Sequence, residues 1–126
     1  MKNIIVVDDD KMMRNMIRDM LDYKYEITMA ESVEDVLNIC KTKKIDLVIT
    51  DLFMPHKSGL DLIEEVKKQF SYIKLLAISG GSRLKQCDFL PVAEIMGAHQ
   101  ILKKPFNMLE LKEKVALLLE EKQYSS

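Results

Sequence analysis

The stretch IDLVITDLFMP, residues 45–55, decides the fold. It is a largely apolar run of strand length that ends in the carboxylate of Asp51 and is followed by a Met-Pro turn. A second run, IIVV at residues 4–7, ends in the acidic cluster at residues 8–10. Runs of this kind are typical of strands buried on both faces of a parallel sheet. Two such strands that end in carboxylates crowd like charges, which a hard divalent cation with oxygen ligands would relieve.

Apolar runs alternate with amphipathic patterns along the rest of the chain. This alternation predicts an α/β fold of five βα units, a doubly wound parallel sheet with helices on both faces. Ser32 is expected to cap the second helix with Asp35 as a loose capping-box partner, and Asn107 to cap the last helix with Glu110. The predicted strands are residues 3–7, 25–29, 45–50, 74–78 and 100–103, and the helices are 11–23, 32–41, 60–70, a segment from Pro91 to Gly97, and the segment from Asn107 to Leu119.

Side chains outside the acidic runs have simpler interpretations. Cys40 and Cys87 are predicted to be free thiols, and His56 and His99 to be surface or loop residues. A stripe of methionines in the first helix is expected to fill the core, since methionine is a pliable apolar side chain. Its members are Met12, Met13, Met16 and Met20.

Composition limits the class of protein. The chain has 126 residues, which suits one domain, and its formal net charge is −1. That balance argues against a nucleic-acid-binding surface, which is usually basic. No apolar stretch approaches the roughly 20 residues that span a bilayer, and no signal-peptide layout is present. We therefore expect a cytoplasmic protein with no membrane segment and no direct nucleic-acid contact.

Polar residues stand at or just after the predicted strand ends, where ligands of open α/β sheets bind. The carboxylates of Asp8, Asp9 and Asp51 suit Mg²⁺, whereas Asp10 is equally well explained as a helix cap. Lys104 can act as a point charge on an anionic ligand, and the hydroxyl of Ser79 can donate to a phosphoryl oxygen. No glycine-rich nucleotide-binding pattern occurs.

Several motifs, in order and over nearly the whole chain, resemble the response-regulator receiver domains of two-component signalling, the CheY-like family. The resemblance implies a flavodoxin-like strand order of 2-1-3-4-5. It also implies one receiver domain over residues 1–126, with an ordered core of about 2–122 and no output domain. The matching segments are IIVVDDD at 4–10, DLVITDLFMP at 46–55, Gly59, AISG at 77–80 and KPF at 104–106.

The resemblance also implies a role for each site residue. Asp51 would be the phosphoacceptor, Lys104 would pair with Asp51 and then with its phosphoryl group, and Ser79 would bond that group as part of the switch. Mg²⁺, with Mn²⁺ as a substitute, would be held by a small set of oxygens. These are Asp9, Asp51, the backbone carbonyl of Phe53 and, through water, Asp8.

The same resemblance implies partners. A sensor histidine kinase or a histidine phosphotransfer protein would donate the phosphoryl group, and an unidentified protein would receive the signal. The chain would act as a monomer or as a dimer formed on phosphorylation, and not as an enzyme beyond its own phosphorylation and slow dephosphorylation. Two departures affect the switch: Ile101 replaces the usual aromatic residue, and the segment around residues 83–89 is longer than usual.

Two other functions remain open from the residues alone. Asp8 and Asp10 form a D-x-D pair after an apolar strand, as in haloacid-dehalogenase-like phosphohydrolases, although Lys11 and Met12 replace the small residues expected there. The chain could also be a receiver-like adaptor that accepts no phosphate.

Overall fold

A computed structural model describes residues 1–52, 59–79 and 97–120. Several expectations fall outside these ranges and are not tested by them. They are the turn after Pro55, the carbonyl of Phe53, the Ser79–Ser82 loop beyond its first residue, the 83–89 insertion, the helix from Pro91, the fraying tail from Gln123, His56 and Cys87.

The predicted parallel sheet is confirmed. Every strand pair is parallel, and the order across the sheet is β2-β1-β3-β4-β5. The first and third strands are therefore neighbours, and their carboxyl ends lie at one edge. The strands are β1 (Asn3–Val7), β2 (Glu26–Ala30), β3 (Leu47–Asp51), β4 (Lys74–Ser79) and β5 (Gln100–Lys103).

Four helices flank the sheet within the described residues. They are α1 (Lys11–Leu21), α2 (Val33–Thr42), α3 (Gly59–Gln69) and α4 (Met108–Leu119). The predicted boundaries are close but shifted: α1 ends two residues earlier than expected, β2 and β3 each end one residue later, and α3 begins and ends one residue earlier. None of these helices is both long and apolar enough to cross a membrane.

The predicted helix caps are formed to different degrees. Asn107 and Glu110 make the complete capping box, with each side chain accepting the other's backbone N–H at 2.8 and 2.9 Å. Ser32 caps α2 by accepting from the N–H of Asp35 at 3.2 Å. The Asp35 carboxylate accepts from the backbone N–H of Glu31 at 3.2 Å rather than from that of Ser32. The box predicted there is therefore only half formed.

Each face of the sheet has its own core, as the doubly wound arrangement requires. Alternate residues of β1 point to opposite faces, so Ile5 packs with α2 and α3 while Ile4 packs with α1 and α4. The buried thiol of Cys40 belongs to the first core, and burial raises its pKa to about 11. It is a free cysteine, as predicted.

The methionine stripe of α1 fills the core only in part: Met13 and Met20 pack against it as predicted, whereas Met12 and Met16 do not. Met12 is 78% exposed and Met16 is 38% exposed. The buried face of α1 instead consists of Arg14, Ile17 and Leu21. Those three residues have the i, i+3, i+7 spacing of one helical face, and the two exposed methionines lie off it.

His99 has a structural role that its expected surface position did not predict. It stands just before β5, where its backbone N–H donates to the carbonyl of Leu75 at 2.8 Å. Its ring Nδ1 accepts the N–H of Leu75 at 3.1 Å. The imidazole thus extends the pairing of β4 and β5, and it can do so only with an unprotonated Nδ1.

Candidate functional site

Parallel pairing brings the polar strand ends together. Val7 pairs with Thr50, so Asp8 and Asp51, the next residues along, are level at the same edge. Asp51 in turn pairs with Ile78, which precedes Ser79. The backbone N–H of Lys104 donates to the carbonyl of Ser79 at 2.8 Å, which places Lys104 just beyond β5 at that edge.

Lys104 makes a close ion pair at this edge. Its Nζ donates to Oδ2 of Asp51 at 2.9 Å and lies 3.9 Å from Oδ2 of Asp8. Both carboxylates are buried, with Asp8 3% and Asp51 7% exposed. Among the described residues, Lys104 is thus a cation that faces two nearly buried acids.

The buried position of Asp8 changes its pKa. Burial, with smaller contributions from the charge of Asp51 and a hydrogen bond between the two side chains, raises the pKa of Asp8 from its ordinary 3.8 to about 7. The N–H of Asp10 and the charge of Lys104 act in the opposite direction. Additional positive charge at this position would favour the ionised form of Asp8.

Ser79 presents an unused donor to the same edge. It is the last residue of β4 and only 1% exposed. Within the described part of the chain its Oγ has no hydrogen-bond partner, the only buried side-chain oxygen or nitrogen there of which this is true. Because a buried polar atom without a partner costs about 1–3 kcal/mol, this hydroxyl is poised for a ligand oxygen.

The loop between β1 and α1 is held by its own backbone. Oδ1 of Asp8 accepts from the N–H of Asp10 at 2.9 Å, and Oδ1 of Asp10 accepts from Met12 at 2.9 Å. Asp10 is therefore the N-cap of α1, which confirms its interpretation as a helix cap. One oxygen of the Asp10 carboxylate is thus committed to the helix, which argues against Asp8 and Asp10 as a hydrolase pair. Asp9 lies between them and is exposed.

The donor set fits a hard divalent cation in its chemistry. Asp8 and Asp51 supply two carboxylates near one another, and burial, with a smaller contribution from Asp51, raises the pKa of Asp8. Among residues 1–52, 59–79 and 97–120, however, no three His, Cys, Asp or Glu side chains are arranged to hold a metal. Of the other two ligands that the resemblance implies, Asp9 is exposed and Phe53 lies outside the described ranges.

Three residues that sequence reasoning gave no role support this site. Thr50 is fully buried and its hydroxyl donates to the carbonyl of Asp51 at 2.9 Å. Gly59 packs so closely that a Cβ there would collide with the carbonyl oxygen of Asp51 and lie 2.8 Å from Cα of Leu52. Arg14 is the third. Its spacing of three and seven residues from Ile17 and Leu21 is the sequence feature that could have placed it on the buried face of α1.

Ile101, at the expected switch position, is half-buried. It pairs with Ala77 across β4 and β5 and packs against the core that α2 and α3 cover. It therefore lies on the sheet face opposite to Leu102, which packs with α1 and α4.

The fold and this edge match a known family. The model of the response regulator receiver domain matches residues 4–116. This chain belongs to the response regulator receiver domains. Membership agrees with the site geometry, since the segments that carry Asp8, Asp51, Ser79 and Lys104 all lie inside the matched range.

Relatives of the receiver domain include regulators and a kinase. The transcriptional regulatory protein CpxR of Klebsiella pneumoniae is 28% identical over 126 residues, 99% of this chain and 52% of CpxR. The sensor histidine kinase TmoS of Ectopseudomonas mendocina is 33% identical over 122 residues, 94% of this chain and 12% of TmoS. The chain thus spans about half the length of CpxR.

A solved structure is also similar to this receiver domain. The response regulator protein TrrA of Thermotoga maritima, crystallised in complex with Mg²⁺-BeF, has 35% sequence identity and a TM-score of 0.81. The match covers 94% of this chain and all of TrrA.

Proposed function

We propose that this receiver domain is a phosphorylatable switch in which Asp51 accepts a phosphoryl group and a protein-binding surface changes in response. Two observations carry the proposal: a cation bonds Asp51, and an unpaired buried hydroxyl lies at the end of the adjacent strand β4. Lys104 Nζ lies 2.9 Å from the Asp51 carboxylate, and Ser79 Oγ is buried without a partner among the described residues.

The proposed donor is a phosphohistidine on a sensor histidine kinase or a histidine phosphotransfer protein. A carboxylate oxygen of Asp51 attacks the phosphorus, an O–P bond forms, the N–P bond breaks, and the imidazole leaves and takes its proton from water. The product is an acyl phosphate on Asp51. Such a transfer depends mainly on positioning and on neutralising the charge of the phosphoryl oxygens.

The residues of the site divide these tasks. Lys104 already bonds Asp51, and it would move with little displacement to a phosphoryl oxygen on the same carboxylate. Ser79 would donate its hydroxyl to another phosphoryl oxygen. When bound, Mg²⁺ supplies positive charge to the carboxylates and the phosphoryl group. Asp9, Asp51, the Phe53 carbonyl and, through water, Asp8 would hold it, and Mn²⁺ would substitute.

The output would follow from the added charge. Phosphorylation adds about −1.5 to −2 charges to this edge, by analogy with other phosphorylated side chains. Ser79 and the chain after it would move toward the phosphoryl group, and half-buried Ile101 on the adjacent strand would adjust its packing. The receiver of this change would be another protein or a second copy of this chain. We propose that this occurs in the cytoplasm, without nucleic acid bound directly to residues 1–126.

Incubation with acetyl phosphate and Mg²⁺ tests the proposal. Intact-mass spectrometry should show one added phosphoryl group on the wild type and none on Asp51→Asn. Asp22→Asn, at an exposed aspartate beyond α1, should behave like the wild type. Absence of the added mass from the folded wild type would favour the receiver-like adaptor that takes no phosphate, and a modified Asp51→Asn variant would refute Asp51 as the acceptor.

A further inference from the structure

Arg14 is the buried cation of α1. Its side chain is only 10% exposed, and its Nη1 donates to the backbone carbonyl of Asp8 at 2.6 Å. Its Nη2 lies 3.8 Å from Oε2 of Glu31, whose side chain is 74% exposed. The guanidinium therefore links α1 to Asp8, the residue after β1, and to Glu31, the residue after β2.

Burial of this charge requires compensation, because a guanidinium removed from water loses its hydration. The contact with Glu31 is long and open to solvent, so it contributes little. The short charge-assisted hydrogen bond to the Asp8 carbonyl is the stronger interaction. The buried position of Arg14 is thus explained mainly by what it does to the backbone at Asp8.

That carbonyl controls the direction of two acidic side chains. The carbonyl of Asp8 and the amide nitrogen of Asp9 belong to one planar peptide unit. Holding the oxygen therefore fixes how the chain leaves Asp8 and enters Asp9. In the Asp8 side chain, Oδ1 accepts a hydrogen bond from the N–H of Asp10. The other oxygen, Oδ2, lies 3.9 Å from Nζ of Lys104.

We propose that Arg14 is a positioning residue that orients the carboxylates of Asp8 and Asp9 for the divalent cation of the phosphorylation site. The proposal deepens the proposed function and rests on it, since it concerns the same site. Arg14 touches neither the phosphoryl group nor the cation. It acts through the peptide unit between Asp8 and Asp9, as hydrogen-bonding partners behind metal ligands commonly do.

The sign of the effect separates positioning from simple charge. Arg14→Met removes a positive charge near the cation site, and by electrostatics alone this would tighten Mg²⁺ binding. Loss of positioning would instead weaken it, by roughly tenfold to a hundredfold for a partner of this kind. Arg14→Lys keeps the positive charge and a donor group but lacks the planar guanidinium. It should therefore recover part of the Mg²⁺ affinity that Arg14→Met loses.

Isothermal titration of Mg²⁺ into the whole chain, far below the thermal midpoint of each variant, is the test. Arg18→Met is the matched control, because Arg18 lies one turn along α1 and bonds its exposed neighbour Asp19 at 3.1 Å. We expect at least a tenfold loss for Arg14→Met, partial recovery for Arg14→Lys, and little change for Arg18→Met. If Arg14→Met does not fold, Arg14→Gln takes its place.

Affinity equal to or tighter than wild type in a folded neutral Arg14 variant would overturn the proposal, even if its thermal midpoint fell. An equal loss in Arg18→Met would overturn it too, because the effect would then not depend on the Asp8 carbonyl. A wild type that binds no Mg²⁺ would refute the cation site of the proposed function and the role of Arg14 with it.

Discussion

Nζ of Lys104 lies 2.9 Å from Oδ2 of Asp51, although the two residues are 53 positions apart in the chain. The contact exists because β3 and β5 both flank β4 and end at the same edge of the sheet. The same ammonium lies 3.9 Å from Asp8. Lys104 is therefore a cation that the two buried acids share.

Lys104→Met should slow phosphorylation of Asp51. The variant removes the cation that would stabilise the transferring phosphoryl group, and loss of one such donor costs about a hundredfold in rate. The rate of mass gain from acetyl phosphate measures the effect. Lys103→Met, at the exposed neighbouring lysine, should stay near the wild-type rate, and equal slowing of both variants would argue against a specific role for Lys104.

Mg²⁺ affinity should rise with pH up to about 7. Burial raises the pKa of Asp8 to about 7, so at lower pH a proton must leave before the carboxylate can assist a cation. Well below that pKa, affinity should fall by about tenfold per pH unit. Titrations at several pH values should show this slope in the wild type and a flatter one in Asp8→Asn, and parallel profiles would exclude Asp8 as the titrating group.

The same pKa shift predicts a stability change. The folded protein holds a proton on Asp8 that the unfolded chain releases, so the contribution is complete below pH 3.8 and is lost as pH rises through about 7. In urea unfolding of the metal-free protein, the stability of Asp8→Asn relative to the wild type should increase as the pH rises from 3.8 to about 7. A constant difference across that range would contradict the assigned shift.

Gly59→Ala should disturb both the fold and the phosphoacceptor. A methyl group there would collide with the carbonyl oxygen of Asp51 and approach Cα of Leu52 to 2.8 Å, and backbone atoms cannot move aside cheaply. We expect a loss of roughly 1–3 kcal/mol in the free energy of unfolding, together with slower phosphorylation.

Gly97→Ala is the matched control for Gly59→Ala. Gly97 has φ of +131° and precedes β5 at the other end of that strand from Lys104. Its substitution should also lower stability, because L-residues rarely adopt that conformation. The phosphorylation rate of the folded protein should stay unchanged. Slowing of both variants to the same degree would show that the effect follows from stability alone.

His99 should make stability fall under acid conditions. Burial, with Lys74 and Lys67 nearby, lowers the pKa of His99 below its ordinary 6.5. The hydrogen bond to Leu75 is therefore fully present above pH 6.5 and is lost as pH falls through the lowered pKa. A net contribution of about 1 kcal/mol is expected for such a bond. His99→Gln should reduce the fall in the free energy of unfolding on the acid side. An unchanged fall in this variant would show that His99 does not cause it.

The arrangement at the carboxyl edge could be predicted from sequence because topology determines it. Once β1, β3, β4 and β5 are parallel, the residues that follow them meet at one edge whatever their packing details. Asn107 and Glu110 were also predictable, since a capping box is a local interaction. In each case the decisive contacts lie within a few residues of a recognisable strand or helix end.

Contacts that depend on tertiary packing were not predictable. The hydroxyl of Tyr25 donates to Glu120 at 2.6 Å across 95 positions, and nothing local to Tyr25 indicates this. The methionines of α1 occupy more than one helical face, so an apolar count could not show that Met12 would be exposed. Arg14 was overlooked because a charged residue is ordinarily assigned to the solvent face, whereas here the Asp8 carbonyl compensates its burial.

The central claim is that Asp51 itself carries the phosphoryl group. After incubation with acetyl phosphate and Mg²⁺, borohydride reduction converts an acyl phosphate on aspartate to homoserine, which peptide mass spectrometry assigns to one position. We expect homoserine at position 51 and at no other aspartate. Homoserine at position 8 or 9, or phosphorylation without reducible aspartate, would contradict it.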